Sequence, residues 1–242
     1  MGRAPRFYVE DRLRSGVSLA LAEDAGHHAA NVLRVRAGDP ITLFDGSGGE
    51  YDARVTAIQK KKVTVDVLEH SPVERESPLH IVLVQGVSSG ERMEFTIRKA
   101  VELGVAEIRP VLTASSVSRP KGERAASRQA HWQRVAISAC EQCGRNRLPP
   151  VREIGPVPGG PFEEGVLKLL LSPSAPLPLS KALKKEQRIV VAAGPEAGFD
   201  EREEAAFLDA GFLPVTLGPR VLRTETAALA ALAALSALAG DF

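Results

Sequence analysis

The residues best able to do chemistry lie late in the chain. Arg220-Val-Leu-Arg223-Thr-Glu225-Thr-Ala227 sets two guanidiniums and a carboxylate around what reads as a helix start. Thr224 is the expected cap, and a helix N-terminus offers free N–H groups and a positive field end to an anion. Just upstream, three apolar runs each end in a Pro- or Gly-containing turn. Leu167–Leu171 enters Ser172-Pro-Ser174, Ile189–Ala193 enters Gly194-Pro-Glu196-Ala-Gly198-Phe199, and Leu213–Leu217 enters Gly218-Pro-Arg220. In a parallel sheet those ends share the edge where open α/β folds bind their ligands. Glycine there permits positive φ and close backbone approach, so main-chain N–H and C=O groups can read a ligand such as an adenine edge and ribose. Arg223 and Glu225 are then expected near that edge. The alternative is that the turns are only loop punctuation.

Cys140 and Cys143 form a lone Cys-x-x-Cys. Zinc needs further ligands and only His131 is near in sequence, while a redox pair wants the motif opening a helix. Two small apolar residues on a helix face is the simpler reading, and no metal is expected.

Around these residues the chain divides in two. Ile41–Phe44 and Tyr51–Val55 flank Asp45-Gly-Ser-Gly-Gly49, a hairpin pattern, and Val63–Val67 alternates as a half-buried strand should. His70–Pro78 is polar with two prolines and reads as a linker. Beyond it, Ile81–Val84 is a continuous apolar run, typical of a strand buried on both faces. Met93, Ile97, Ala100 and Val101 then recur at helical spacing before Gly104. Val105–Val111 returns to strand, so strand alternates with helix and a mainly parallel α/β sheet is expected. Asp200 and Glu203 make a capping box for a helix over 201–210 that Gly211 closes. Leu229, Leu232, Leu235 and Leu238 suggest one apolar face on the last helix. The expected spans are 1–72, a linker at 73–78, and 79–242.

Charge and composition narrow the function. The formal net charge is +1, so any nucleic-acid binding must come from a local patch. Residues 119–152 supply one: eight Arg/Lys, among them Arg124, Arg128, Arg134 and Arg145, stand against Glu123 and Glu141, interleaved with His131 and Trp132. A merely solvated face is the competing reading. The start carries no signal-peptide pattern and the Ala/Leu tail is too short to span a bilayer comfortably, so a cytoplasmic protein with no membrane partner is expected. No Gly-x-Gly-x-x-Gly follows any strand, which disfavours a nicotinamide dehydrogenase.

Gly194–Phe199 and Leu217–Ala227 closely resemble the signature segments of the bacterial small-subunit (16S) ribosomal RNA uridine-N3 methyltransferases, of the SPOUT superfamily. The match extends to Gly90-Glu-Arg-Met-Glu94, Lys99, Glu102-Leu-Gly-Val105, Trp132, Glu141-Gln142, Arg145, Arg6-Phe7, His27-His28 and Val32-Leu-Arg34. The resemblance implies an α/β fold: an N-terminal PUA-like RNA-binding β-barrel and a SPOUT methyltransferase domain with a trefoil knot. It implies a homodimer, S-adenosylmethionine as cofactor, and 16S ribosomal RNA, within the small ribosomal subunit, as partner. Leu171, Ser172, Gly194, Pro195, Glu196, Gly198, Leu217, Gly218, Val221, Leu222, Thr224 and Ala227 fall at or beside the family's cofactor loops. Arg6, His27, His28 and Arg34 would contact RNA from the barrel, with Arg124, Arg128, Arg134 and Arg145 on phosphates.

For that reaction N3 of uridine must lose a proton, and negative charge develops on the uracil. Glu225 is the candidate base, Arg223 the candidate anion stabiliser and Glu196 the alternative base. Two departures from the family pattern stand out. Ala197 replaces a usual second glycine and would be strained if φ there is positive. Ala114-Ser115-Ser116 stands where Ser-Glu-Arg is common. Competing functions are a SPOUT 2′-O-ribose methyltransferase acting on transfer or ribosomal RNA, and a catalytically silent RNA-binding factor.

Overall fold

The computed structural model describes residues 4–60, 62–116, 119–183, 188–239 and 241–242. Met1 to Arg3, within the start read above for a signal-peptide pattern, lie outside the described residues. The chain divides into two compact units, one running up to Glu76 and joined by Cys140–Leu148, the other made of Ser77–Ala139 and Pro149–Phe242. Residues 140–148 thus belong with the first unit although the expected boundary is a single cut near 73–78. The stretch read as a linker is also held in place. His70 and Ser71 end a strand, Asn146 Nδ2 donates to Val73 O at 2.7 Å, and Arg75 Nη1 stands 3.1 Å from Glu50.

In the first unit β1 (Arg6–Tyr8), β2 (Ser18–Ala20), β3 (Pro40–Phe44), β4 (Glu50–Gln59) and β5 (Lys62–Ser71) form a sheet in the order β1-β3-β4-β5-β2. Among the described residues only β1 runs parallel to its neighbour, β3. Val63, Val65 and Val67 are buried while residues between them are not, as a period of two requires. They share a core with Phe7, Ile41, Leu43 and Val55. The β3–β4 turn is tied by Asp45, whose carboxylate accepts from the N–H groups of Leu13 and Ser47. Helix α1 (Glu23–His27) runs straight into a π-helical turn, His28–Val32.

The second unit contains β6 (His80–Gly86), α2 (Gly90–Glu102), β7 (Glu107–Leu112), most of α3 (Glu123–Cys143), β8 (Gly155–Pro156), β9 (Leu167–Leu171) and α4 (Leu179–Ala182). It continues with β10 (Arg188–Ala193), α5 (Glu201–Asp209), β11 (Leu213–Val215) and α6 (Thr224–Ala239). The strands form a sheet in the order β11-β9-β10-β6-β7-β8, and each described pair is parallel. After edge strand β11 the chain returns to the middle of the sheet, where α6 packs on β10 and β6.

One local expectation changes. Leu232 and Leu235 are fully buried but Leu238 is 51 % exposed. A three-residue repeat slips round a 3.6-residue helix by about 60° per step, so the buried face of α6 instead follows Ala228, Ala231, Leu232 and Leu235. Trp132, interleaved with the basic run, is a buried core residue. The Cys140 thiol is buried, and burial pushes it up to about 12, which makes it a poor nucleophile or redox partner. Among the described residues no helix is long and apolar enough to cross a membrane.

Candidate functional site

Strand register brings the expected turns level. Val215 pairs with Leu171, Leu170 with Ala192, and Ala193 with Gln85, so the chain leaves β11, β9, β10 and β6 at one edge. Gly86 lets the turn after β10 fold across that edge, because a Cβ there would lie 2.4 Å from Pro195 Cδ. Above the strand ends lies a cavity of about 420 Å³, within the range of small-molecule sites.

Of the residues expected around a cofactor, Leu171, Ser172, Gly194, Pro195, Glu196, Gly198, Leu217, Val221, Leu222, Thr224 and Ala227 line this cavity. Gly218 is not in the lining, although its φ of +104° sets the turn that carries Leu217 into it. Pro173, Ser174, Phe199, Glu204, Thr216 and Arg220 also line the cavity. Pro173, Ser174 and Arg220 were within reach of the turn motifs, but Glu204 carries no such signal because it faces the cavity from helix α5. Ala197 does not have a positive φ; among the described residues only Arg34 and Lys60 do outside glycine. The strain expected of the missing glycine is therefore absent.

Glu196 is not arranged as a base. Its Oε1 accepts from the Ser89 N–H at 2.9 Å and stands 3.3 Å from Arg92 Nη1. Burial alone would raise its carboxyl, but these hydrogen bonds and the Arg92 charge outweigh it and hold the group below its ordinary value. Glu196 acts instead as a clamp between its turn and the start of α2. On the other side Ser115 Oγ donates to Gly198 O at 3.3 Å, and the Ala114 N–H donates to Glu203 Oε1 at 2.6 Å. The Ala114-Ser115-Ser116 departure thus braces the same turn.

Thr224 is the first residue of α6 and its hydroxyl is not left to cap that helix. It donates to Gly194 O and accepts from Gln85 Nε2 at 3.1 Å. Arg223 is exposed and neither it nor Glu225 is in the cavity lining; they flank Thr224, which is. Glu225 Oε2 is buried without a hydrogen-bond partner among the described residues. Its place in the first turn of α6 sets the carboxylate in the positive field of the helix start.

The expected RNA contacts separate into two groups. His27, His28 and Arg34 are exposed around the π-helical turn, beside exposed Val32 and Leu33. On α3, Arg124 and Arg134 are exposed and Arg128 half-exposed. Arg6 and Arg145 do not belong with them, since both are buried. Arg6 pairs with Glu50, donates to Asn146 Oδ1 at 2.6 Å and lies over the Phe44 ring; Arg145 pairs with Glu76. Each guanidinium is turned inward and committed to its own unit, with no face for a phosphate. Among the described residues no group of His, Cys, Asp or Glu gathers as metal ligands would.

A parallel α/β sheet with its ligand cavity at the strand ends, in a chain that also builds a separate β-rich unit, defines an α/β enzyme class with an appended β module. Residues 75–236 match the RNA methyltransferase domain family, and residues 21–68 match the RNA methyltransferase PUA domain. A ribosomal RNA small subunit methyltransferase E from Buchnera aphidicola is 32% identical over 99% of this chain and 96% of its own. A crystal structure of the Neisseria gonorrhoeae ribosomal RNA small subunit methyltransferase E bound to S-adenosylmethionine superposes with a TM-score of 0.90 and 43% identity, covering 99% of this chain and 100% of that one. A Legionella pneumophila methyltransferase structure with bound S-adenosylmethionine gives 0.91 and 39%, covering 98% of each chain. The chain belongs to the ribosomal RNA small subunit methyltransferase E family.

Proposed function

We propose that this protein transfers the methyl group of S-adenosylmethionine to N3 of one uridine in 16S ribosomal RNA. The observation that carries the reading is the cavity at the ends of β9, β10 and β11, walled by main-chain turns and closed by the start of α6. Its chemistry suits such a cofactor. Leu171, Leu217, Val221 and Leu222 offer apolar walls to an adenine, while Glu204 and Arg220 offer one charge of each sign to the polar parts. S-adenosylmethionine, when bound, supplies an electrophilic methyl group on a sulfonium.

The chain's own residues do the rest by placement. The turns at Ser172, Gly194–Phe199 and Leu217 hold the cofactor, fixing one side of an in-line displacement. Arg223, exposed at the start of α6, is placed to steady the charge developing on the uracil carbonyls. Glu225, with an acceptor oxygen lacking any partner among the described residues, takes the N3 proton, directly or through water. His27, His28 and Arg34 on the first unit and Arg124, Arg128 and Arg134 on the second hold the RNA.

The protein acts as a homodimer in the cytoplasm, with the small ribosomal subunit as its substrate particle. Exposed Phe95 on α2 and Leu238 on α6, two helices that pack together, support the dimer.

Small subunits from a strain lacking the gene, incubated with protein and labelled cofactor and then digested for mass spectrometry, test the activity. Label on a uracil ring nitrogen is expected. Label on a ribose 2′-oxygen would replace the reading with the ribose methyltransferase, and no label with a silent RNA-binding factor.

A further inference from the structure

Gln85 interrupts one of the most apolar stretches of the chain. Ile81, Val82, Leu83 and Val84 precede it in β6, and it is as fully buried as Ile81 and Leu83, at 0% exposure. A buried primary amide is costly unless its groups are satisfied, yet its Oε1 has no hydrogen-bond partner among the described residues. Its nitrogen, by contrast, is heavily used. Nε2 lies 3.1 Å from both Thr224 Oγ1 and Gly86 O and 3.4 Å from both Ala193 O and Gly194 O. Thr224 Oγ1 donates in turn to Gly194 O. A donor chain therefore runs from the Gln85 amide through the Thr224 hydroxyl to the Gly194 carbonyl. An apolar side chain of similar volume would fill the same space with no orphaned oxygen, so packing alone does not account for glutamine here.

We propose that Gln85 is a positioning residue, a buried amide that fixes the start of α6 against the turn after β10. The inference rests on the methyl-transfer reading above. In that reading Gly194 belongs to the cofactor side of the reaction, and Arg223 and Glu225, flanking Thr224, to the acceptor side. Gln85 sets the spacing between the two sides. The Gly194–Phe199 turn keeps its own supports, Glu196 on Ser89 and Ser115 on Gly198, which do not involve Gln85. Loss of the amide thus releases α6 more than the cofactor turn. Turnover suffers more than cofactor affinity.

The test compares Gln85→Met, Thr224→Val, the double variant and Thr224→Ser with wild type on unmodified small subunits. Each of the first two should lower kcat about tenfold, and for Gln85→Met, whose side chain is outside the cavity lining, the cofactor KM should stay within about threefold. Melting temperatures should hold, and Thr224→Ser should retain most activity because it keeps the hydroxyl. The double variant should lose no more than the worse single one, since both remove the same chain of bonds. Gln85→Met with wild-type kcat, losses that multiply in the double variant, or kcat, affinity and melting temperature falling together would each overturn the role. A wild-type protein that binds cofactor but transfers no methyl overturns the methyl-transfer reading and this role with it.

Discussion

The main-chain N–H of Ser89 donates to Glu196 Oε1 at 2.9 Å, and Arg92 Nη1 reaches the same oxygen at 3.3 Å. A carboxylate in the turn after β10 is thereby pinned to the first turn of α2, across 107 residues of sequence. Its function follows from those partners. A group held this way supports the turn but is a poor proton acceptor.

Glu196→Ala should accordingly weaken cofactor binding by about tenfold, the loss of one charged hydrogen bond, and leave the pH profile of kcat unchanged. The native clamp has its own pH dependence. The Glu196 carboxyl is held below its ordinary value, so its stabilising effect is fully present above that ordinary value and disappears as pH falls through the lowered one. Calorimetric titrations of S-adenosylmethionine across the acid range should show this decline in wild type and not in Glu196→Ala.

Arg223→Ala should lower kcat far more than cofactor affinity, because it acts on charge that develops in the transition state. Glu225→Gln keeps the shape and removes the basic oxygen. Its deficit should shrink as rising pH ionises uridine without help, which single-turnover rates across pH will read. A deficit constant across pH would assign proton transfer to another group.

Charge removal at Arg124, Arg128 and Arg134 should weaken RNA binding and lower the slope of log affinity against log salt by about 0.7 to 0.9 for each phosphate no longer neutralised. Arg145→Met should behave differently. It breaks a pair with Glu76 whose arginine side chain is 6% exposed, and a buried pair left with one member typically costs about 3 kcal/mol. Denaturation midpoints should fall for Arg145→Met and stay put for the α3 variants.

Gly198→Ala tests strain apart from space. A Cβ at Gly198 meets nothing within 4 Å, but φ is +77°. The expected cost is about 1–2 kcal/mol from the left-handed backbone, read by urea unfolding, with weaker cofactor binding as the turn relaxes. Gly194→Ala differs, since its Cβ would come within 3.0 Å of the Gly198 backbone.

A dimeric mass is expected by light scattering at micromolar concentration. Leu238→Glu should shift it toward the monomer while sparing the fold, because Leu238 lies off the buried face of α6.

Much of this is legible in the amino-acid sequence, and the legible part is the local part. Alternation at Val63, Val65 and Val67 identifies a strand with one buried face, and the unbroken run Ile81–Val84 identifies one buried on both. Asp200 and Glu203 make both halves of their capping box, because both partners lie within one helical turn. The three turns at Ser172, Gly194 and Gly218 were legible because Pro and Gly act on their own dihedral angles. What tertiary structure alone decided is where distant side chains meet. Arg6 and Arg145 carry the same charge as Arg124 and Arg134, and no local pattern separates them; burial against Glu50 and Glu76 does. Nothing near Glu196 in sequence announces Ser89 or Arg92, and nothing near Thr224 announces Gln85. Hydrogen bonds act over about 3 Å, so a residue's chemistry depends on which neighbours the sheet order brings to it, and that order is set by the packing of the whole chain.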